Sequence, residues 1–428
     1  FLPIFGALAG ASLAGAAPAA AQTVLIQHAK VYTIGGAGVI DNGDVLINNG
    51  VIAAVGTGLS APQGASVIDA TGKVVTPGFF APYSQIGIEE IGISADANDS
   101  RPDSGFPINA SLDVVDAYNP TSTVIAITRA GGITRALTAP VPGGSLFGGE
   151  AAVIDLSSRI ASVTKQKAAE IAVLGDAGSG LAGGNTRMGA WAVMREYLDA
   201  AIAYAANPRD YVQRKHDNDF KIADLEALGP VIAGREPLLV AVNSAADIRN
   251  LLRLKNDYRL NVIIIGGAEA WRVARELASA NVPVILDPLD NLPAQFEDLG
   301  STLANAARLN AAGVKIAFYN DDEFNERLLP QLAGNAVANG LPYDAALAAL
   351  TINPATMFGL GQTLGSLEAG KAADVVIWDG DPLELSTRPV AVFIDGRQMS
   401  MENRQTKLRD RYKDLTRTDL PFAYKGGN

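Results

Sequence analysis

Three consecutive acids, Asp321, Asp322 and Glu323, are the side chains best suited to chemistry in this chain, and they follow the short apolar run 316–319. Carboxylates at the end of a strand can act as a general base. They can also bind Mg²⁺ or Ca²⁺ together with waters and backbone carbonyls. The alternative is a solvated loop or the first turn of a helix, where acidic residues are favoured. We favour the solvated loop or helix start over a metal-binding site for these three acids.

Groups that bind transition metals or act as strong nucleophiles are scarce. The 428 residues include two histidines, His28 and His216, and no cysteine. His28 falls in an apparent strand and is predicted to be a surface or interstrand residue, and His216 falls in the solvated charged run 214–219. Thiolate nucleophiles and cysteine metal sites are excluded, and neither histidine is near a nucleophile elbow pattern. The glycine-rich segment 143–149 lacks the ending of a phosphate-binding loop and is predicted to be a close-packed loop.

Short apolar runs at the two ends of the sequence predict one small β domain. Residues 24–26, 45–47 and 51–55 are such runs, and the Asn49-Gly50 pair indicates a hairpin because both residues tolerate positive φ. Matching runs lie at 373–378 and 390–396. We therefore predict a β-sandwich assembled from both ends of the chain.

The middle of the chain alternates apolar strands with amphipathic helices. The clearest units are strands at 238–242, 262–265 and 282–286, with helices at 245–256 and 269–280 between them. This alternation is typical of parallel strands joined by crossover helices. It predicts an α/β fold, a (β/α)8 TIM-like barrel, with an open doubly wound sheet as the alternative. A charged helix is expected from Arg404 to about Arg417.

The amino-acid composition restricts the expected binding partners and the expected cellular compartment. The chain is 48% apolar and carries a net charge of -11, which disfavours nucleic acid as a partner because phosphates are repelled. Residues 1–21 are uncharged and end in Ala-Ala-Ala, which predicts a secretory signal, with a membrane anchor as the alternative. We expect a periplasmic or secreted bacterial protein with no integral membrane segment in its mature region, and the lack of cysteine suits an oxidising compartment.

These features divide the chain into five predicted segments. They are a signal peptide (1–21), the N-terminal portion of the β-sandwich (22–76), the barrel (77–362), the C-terminal portion of the β-sandwich (363–400) and a C-terminal helical tail (401–428).

Several blocks together resemble the amidohydrolase superfamily, in particular its exported imidazolonepropionase-like members. The blocks are 42–47, 50–56, 68–78, 351–355 and 365–376. The resemblance implies a barrel that binds zinc or another divalent metal, which acidifies a water that attacks a C–N bond. The implied ligands are a His-x-His pair on the first strand, Lys or Glu on the fourth, His on the fifth and sixth, and Asp on the eighth.

Carried over residue by residue, the resemblance fails at nearly every implied ligand. Tyr83 and Gln85 stand at the His-x-His positions, and Asn243 stands where the fifth strand would supply His. The eighth-strand acid is retained, and we assign it to Asp321, with Asp322 as the neighbouring alternative. Tyrosine and the amides are uncharged near pH 7 and compete poorly with imidazole for zinc.

The sequence therefore predicts a degenerate amidohydrolase with no bound cofactor. Its predicted role is a structural or regulatory subunit in a homo- or hetero-oligomer, with a catalytically competent paralogue as the expected partner. One alternative is a hydrolase of amide or cyclic amide bonds that uses Asp321 with a weakly bound metal or none. The other is a periplasmic small-molecule binding protein that uses a pocket at Tyr83, Gln85, Asn243 and Asp322.

Overall fold

The computed structural model describes residues 23–102, 105, 109–182, 184–214, 220–320, 325–414 and 416. The predicted signal segment 1–21, His216 and the acids Asp321, Asp322 and Glu323 lie outside the described residues. The same is true of 417–428, the end of the predicted tail.

The described chain forms strands and helices in two groups. The strands are β1 (Val24–Tyr32), β2 (Val39–Asn48), β3 (Val51–Gly56), β4 (Ser66–Asp69), β5 (Val74–Pro77), β6 (Phe79–Ser84), β7 (Ile133–Thr138), β8 (Phe147–Asp155), β9 (Val163–Val173), β10 (Leu238–Val242), β11 (Val262–Gly266), β12 (Val284–Leu286), β13 (Ile316–Phe318), β14 (Val375–Trp378), β15 (Pro389–Ile394) and β16 (Arg397–Gln398). The α-helices are α1 (Thr123–Arg129), α2 (Gly175–Leu181), α3 (Arg187–Ala206), α4 (Pro208–Arg214), α5 (Ile222–Ile232), α6 (Ala245–Tyr258), α7 (Ala274–Ser279), α8 (Asn305–Ala311), α9 (Leu329–Ala338), α10 (Tyr343–Ala349), α11 (Ile352–Met357) and α12 (Arg404–Tyr412).

Strands from both ends of the sequence share one sheet, which we call the end sheet. Its strand order is β16-β15-β14-β5-β1-β2-β3, with β4 beside β1. The β2–β3 hairpin turns at Asn49-Gly50, both with positive φ, as the sequence predicts. Apolar side chains from β1, β2, β14 and β15 pack into a single core of their own. The register between β1 and β2 shifts at His28, whose φ is 63° and whose exposed ring lies 3.4 Å from Asp69.

Strands β6 to β13 form a second sheet in strict chain order, curved into a nearly closed barrel. Its interior holds apolar residues from alternating strand positions, and the opposite faces pack against the helices. The predicted TIM-like barrel is therefore confirmed, and the open doubly wound alternative is excluded. Strand β8 runs antiparallel to both β7 and β9. Its connections, 139–146 and 156–162, are shorter than the dozen or so residues that a parallel crossover needs.

The seam between the first and last barrel strands is bridged by residues 350–353, which run from the end of α10 into the first turn of α11. The Phe80 amide donates to the Leu350 carbonyl at 2.8 Å. The Asn353 side-chain amide donates to the Ile316 carbonyl at 2.9 Å. One short segment thus bonds to β6 on one side and β13 on the other, which aligns the carboxyl ends of all the parallel strands around one opening.

The helix near the C-terminus is shorter than expected. The sequence predicts a helix from Arg404 to about Arg417, whereas α12 ends at Tyr412. No helix within the described residues is long and apolar enough to cross a membrane.

A buried ionic network joins the barrel to the end sheet. Arg135 of β7 donates to both carboxylate oxygens of Asp374, at 2.6 and 3.0 Å, and also contacts Asp395. Arg159 bridges Asp395 to Asp155 of β8. Burial alone would raise the pKa of Asp395, but the two guanidinium groups hold it below its ordinary value. The carboxylate therefore stabilises the fold at neutral pH and loses this contribution as the pH falls.

Apolar contacts accompany this network at the same interface. Trp378 stacks against Phe79 with ring centroids 5.1 Å apart, and its indole donates to Thr76. Gly132 has a φ of 89°, and a Cβ there would lie 2.4 Å from the Trp378 ring, so only glycine fits.

We predict that Asp374→Ala lowers the free energy of unfolding by about 3 to 5 kcal/mol, because it leaves a buried guanidinium without its bidentate partner. Chemical denaturation measures the change. The matched control is Glu276→Ala, which breaks an exposed arginine–carboxylate pair with Arg249 and should leave stability nearly unchanged. Equal effects of the two variants would contradict the prediction.

Candidate functional site

A cavity of about 490 Å³ opens at the carboxyl ends of the barrel strands. This is the face where barrel enzymes carry their sites. The cavity is lined by Tyr83, Val173, Leu174, Ala177, Ala241, Val242, Asn243, Ile265, Gly266, Asp287, Leu289, Asp290, Leu292, Ala294, Gln295, Glu297, Asp298 and Tyr319. We call it the mouth cavity.

Two of the residues singled out from the sequence lie together in this cavity. Tyr83, near the end of β6, meets Tyr319 edge to face with ring centroids 6.0 Å apart. Asn243 directly follows β10, and its side-chain oxygen lies 3.4 Å from the Ala268 amide. Gly266 has a φ of 83°, and a Cβ there would approach the Asn243 oxygen to 2.5 Å. Glycine at the end of β11 therefore leaves room for the amide at the end of β10.

The other predicted residues do not join this pair within the described chain. The Gln85 amide donates to the Ala139 carbonyl at 3.4 Å, which directs it to the end of β7. Asp321 and Asp322 follow β13 in sequence but are outside the described residues. The motif after Asn243 has a structural role: Ser244 caps α6, and Asp247 accepts hydrogen bonds from Ser244, Trp191 and Arg187.

The described side chains at the strand ends do not fit a zinc ion. The parallel strands end in Tyr83, Val173, Asn243 and Gly266, and a zinc site normally needs three ligands from histidine, cysteine or carboxylate. Among the residues that the structure describes, no three such side chains converge in a way that could hold a metal ion. A phenol, an alkyl group and an amide offer neither the charge nor the imidazole nitrogen that zinc prefers.

The most highly charged region of the cavity was not predicted from the sequence. Asp287, Asp290, Glu297 and Asp298 all come from the loop that follows β12. Their only signal in the sequence is a recurrence of acids after an apolar strand. That signal is also typical of a solvated loop, so it does not indicate a site.

This loop is held across the mouth by hydrogen bonds to the neighbouring strand ends. Glu297 accepts from the Asp176 amide at 3.1 Å, beyond the end of β9. The Trp271 indole donates to the Gly300 carbonyl at 2.8 Å, and the Arg308 guanidinium lies 4.3 Å from the centroid of the Trp271 ring. The acidic side chains are therefore positioned by packed structure.

Two of these acids are nearly buried. Burial raises the pKa of Glu297 and of Asp298 above their ordinary values, and nearby acids, including Asp176, raise both further. One oxygen of Asp298 is buried without a hydrogen-bond partner. A carboxylate in this position destabilises the fold when it is ionised.

We predict that Asp298→Asn stabilises the protein at pH 8 by about 1 kcal/mol, because it removes a buried, unpaired charge. A carboxyl group with a raised pKa is protonated in the folded state at low pH and costs stability as the pH rises above its ordinary value. The gain should therefore vanish near pH 4. Urea denaturation at both pH values tests this.

The control for this prediction is Asp116→Asn, a change at an exposed carboxylate. It should change stability at pH 8 by much less than Asp298→Asn does. A gain for Asp298→Asn that does not depend on pH would contradict the assignment of a buried charge.

Comparisons with known proteins agree with this architecture. Residues 258–400 match the Amidohydrolase family. The chain is 25% identical over 388 residues to amidohydrolase tasK of Hapsidospora irregularis, covering 83% of this chain and 39% of that protein. It is 26% identical over 394 residues to an imidazolonepropionase of Geobacillus sp. (strain WCH70), covering 80% of this chain and 84% of that protein.

Solved structures show the same likeness. The crystal structure of an amidohydrolase from Thermotoga maritima MSB8 superposes with a TM-score of 0.80 at 28% identity, covering 88% of this chain and 99% of that one. The chain spans well under half the length of tasK and of some other curated relatives that it matches. With the barrel, the end sheet and the site at the strand ends in place, we conclude that this chain belongs to the amidohydrolase superfamily.

Proposed function

We propose that this protein is a non-hydrolytic amidohydrolase homologue that serves as a structural or regulatory subunit. The observation that carries the proposal is the set of side chains at the mouth: Tyr83, Val173, Asn243 and Gly266 end the strands where the family resemblance implies metal ligands. Hydrolysis in this family depends on a metal that acidifies water, and these side chains cannot supply its ligands. A fold retained without its metal ligands suggests a role in assembly or binding.

The proposed partner is a catalytically competent, histidine-bearing amidohydrolase, and the proposed location is the periplasm or the exterior of a bacterium. Exposed apolar side chains in the segments that follow the carboxyl ends of β6, β9 and β12 support an assembly role. Phe296 is 87% exposed, and Ile93, Met188 and Leu292 are also largely exposed. Apolar patches beside polar rims are typical of protein contact surfaces.

A second candidate function is small-molecule binding without turnover. The size of the mouth cavity favours it, since about 490 Å³ lies within the usual range for ligand pockets. The third candidate is a hydrolase of amide or cyclic amide bonds that uses Asp321 as a base. This candidate depends on the position of Asp321, which lies outside the described residues.

Metal analysis tests whether the chain holds a hydrolytic metal. We expect purified protein, after dialysis, to contain far less than one zinc per chain by elemental analysis, because the donors are weak. Retention of one tightly bound zinc per chain would overturn the proposal. Asp321→Asn provides a second measurement: it should abolish any amide hydrolysis under the third candidate and leave assembly unchanged under the first.

Native isolation tests the partner. We expect purification from the source organism to recover a histidine-bearing amidohydrolase in stoichiometric amount. Phe296→Asp should weaken that complex at least tenfold, because it places a charge in an apolar contact.

The matched control is Ile160→Asp. Ile160 is 93% exposed but follows the antiparallel strand β8, so it lies at the opposite face of the barrel. It should leave the complex intact. A lone, homogeneous monomer from native extracts would contradict the proposed partnership.

A further inference from the structure

Another cavity, of about 400 Å³, lies on the outside of the barrel, between α8 and the segment that leads from Trp271 into α7. Its aromatic and charged lining consists of Trp271, Arg272, Arg275, Glu276 and Arg308, and we call it the arginine cleft. None of the described residues lines both this cleft and the mouth cavity. Three arginines face one acid here, in a chain with a net charge of -11. The cleft is therefore a local region of positive charge on an acidic protein.

The acid in the cleft is already paired with a residue outside it. Arg249 of α6 donates to both carboxylate oxygens of Glu276, at 2.8 to 3.1 Å. Arg275 and Arg308 are exposed, and within the described part of the chain neither guanidinium has an acidic partner. Two positive charges of the cleft are therefore not neutralised by the protein itself.

An aromatic ring holds Arg308 in place. Its guanidinium carbon lies 4.3 Å from the centroid of the Trp271 ring, and the ring is fixed because its N–H donates to the Gly300 carbonyl at 2.8 Å. The guanidinium of Arg272 lies 5.1 Å from the same centroid and 3.5 Å from Glu269, which uses part of its charge. Stacking restricts a guanidinium and leaves the N–H groups at its edge able to donate. Arg308 therefore loses less conformational entropy on binding than a mobile surface arginine would.

Guanidinium groups without an acidic partner favour a particular class of ligand. The planar fork of N–H groups matches the paired oxygens of a carboxylate or a phosphate. Two such groups in one cleft favour an anion that carries more than one negative charge. The volume of the cleft is within the usual range for small-molecule sites.

We propose that the arginine cleft binds a small multivalent oxyanion, a dicarboxylate or a phosphate, through Arg275 and Arg308. Arg272 adds to the positive potential, and Trp271 positions the guanidinium of Arg308. This inference goes beyond the proposed function and does not depend on it, because the cleft and the mouth cavity have different linings.

The partly exposed Trp271 provides a signal for binding. The other two tryptophans of the chain, Trp191 and Trp378, are 6% and 2% exposed. An anion that approaches Arg308 should alter the contact between its guanidinium and the Trp271 ring, and with it the fluorescence of this tryptophan.

Fluorescence titration at low ionic strength tests the ligand class, with succinate and inorganic phosphate as anions and succinamide as the neutral counterpart of succinate. We expect at least one anion to bind saturably, and at least tenfold more tightly than succinamide. The tighter of the two anions identifies the ligand as a carboxylate or a phosphate. The proposal is overturned if neither anion binds at concentrations up to about 10 mM, or if succinamide binds equally well.

Variants locate the bound anion, with isothermal titration calorimetry as the measurement. Arg275→Gln and Arg308→Gln should each weaken binding at least tenfold, and Glu276→Gln should strengthen it because the cleft loses its one acid. The matched control is Arg195→Gln, which removes an exposed arginine 6.0 Å from the Trp191 ring centroid and should leave the affinity unchanged.

Denaturation checks that each variant is folded, and Arg275→Gln alone provides the test if the change at Arg308 disturbs folding. Unchanged affinity in folded Arg275→Gln would overturn the proposed site. An equal loss of affinity in Arg195→Gln would also overturn it, because binding would then follow the total charge of the protein.

Discussion

Closure of the barrel is the constraint on which the rest of the structure depends. Residues 350–353, from the end of α10 to the first turn of α11, bond to Phe80 on the first strand and to Ile316 on the last. Without these bonds β6 and β13 would be free edges, and the strand ends would not surround one opening. Parallel strands present their carboxyl ends on the same side, so closure brings residues distant in sequence to one mouth. The antiparallel strand β8 does not disturb this arrangement, because its neighbours β7 and β9 run parallel to the other barrel strands.

The end sheet depends on the barrel through a buried charge network. Arg135 lies in β7, and its carboxylate partners Asp374 and Asp395 lie in the C-terminal portion of the end sheet. A buried guanidinium is costly unless it is paired, so the two units cannot separate without exposing or stranding these charges. Trp378 and Gly132 add close packing at the same place. The network therefore fixes the end sheet against the amino-terminal half of the barrel.

The side chains at the carboxyl ends of the barrel strands determine which chemistry the mouth cavity can support. At the positions where a hydrolytic metal would need donors, the strands carry a phenol, an alkyl group, an amide and a glycine. The loop after β12 places carboxylates over the opening. The mouth is therefore a region of negative potential with apolar walls. Burial raises the pKa of Glu297 and of Asp298, so their ionised forms destabilise the fold.

The sequence by itself determined the alternation of strands and helices, the hairpin at Asn49-Gly50 and the barrel, because periodicity and turn chemistry depend on neighbours in the chain. The positions Tyr83 and Asn243 came from the resemblance to the amidohydrolase superfamily. Gln85 was expected beside them, but its amide is directed toward Ala139. Only the tertiary structure decided the direction of β8, the seam and the acidic loop over the mouth. Apolar periodicity is the same for both strand directions, and the bond from the Asp176 amide to Glu297 joins segments that no local pattern connects.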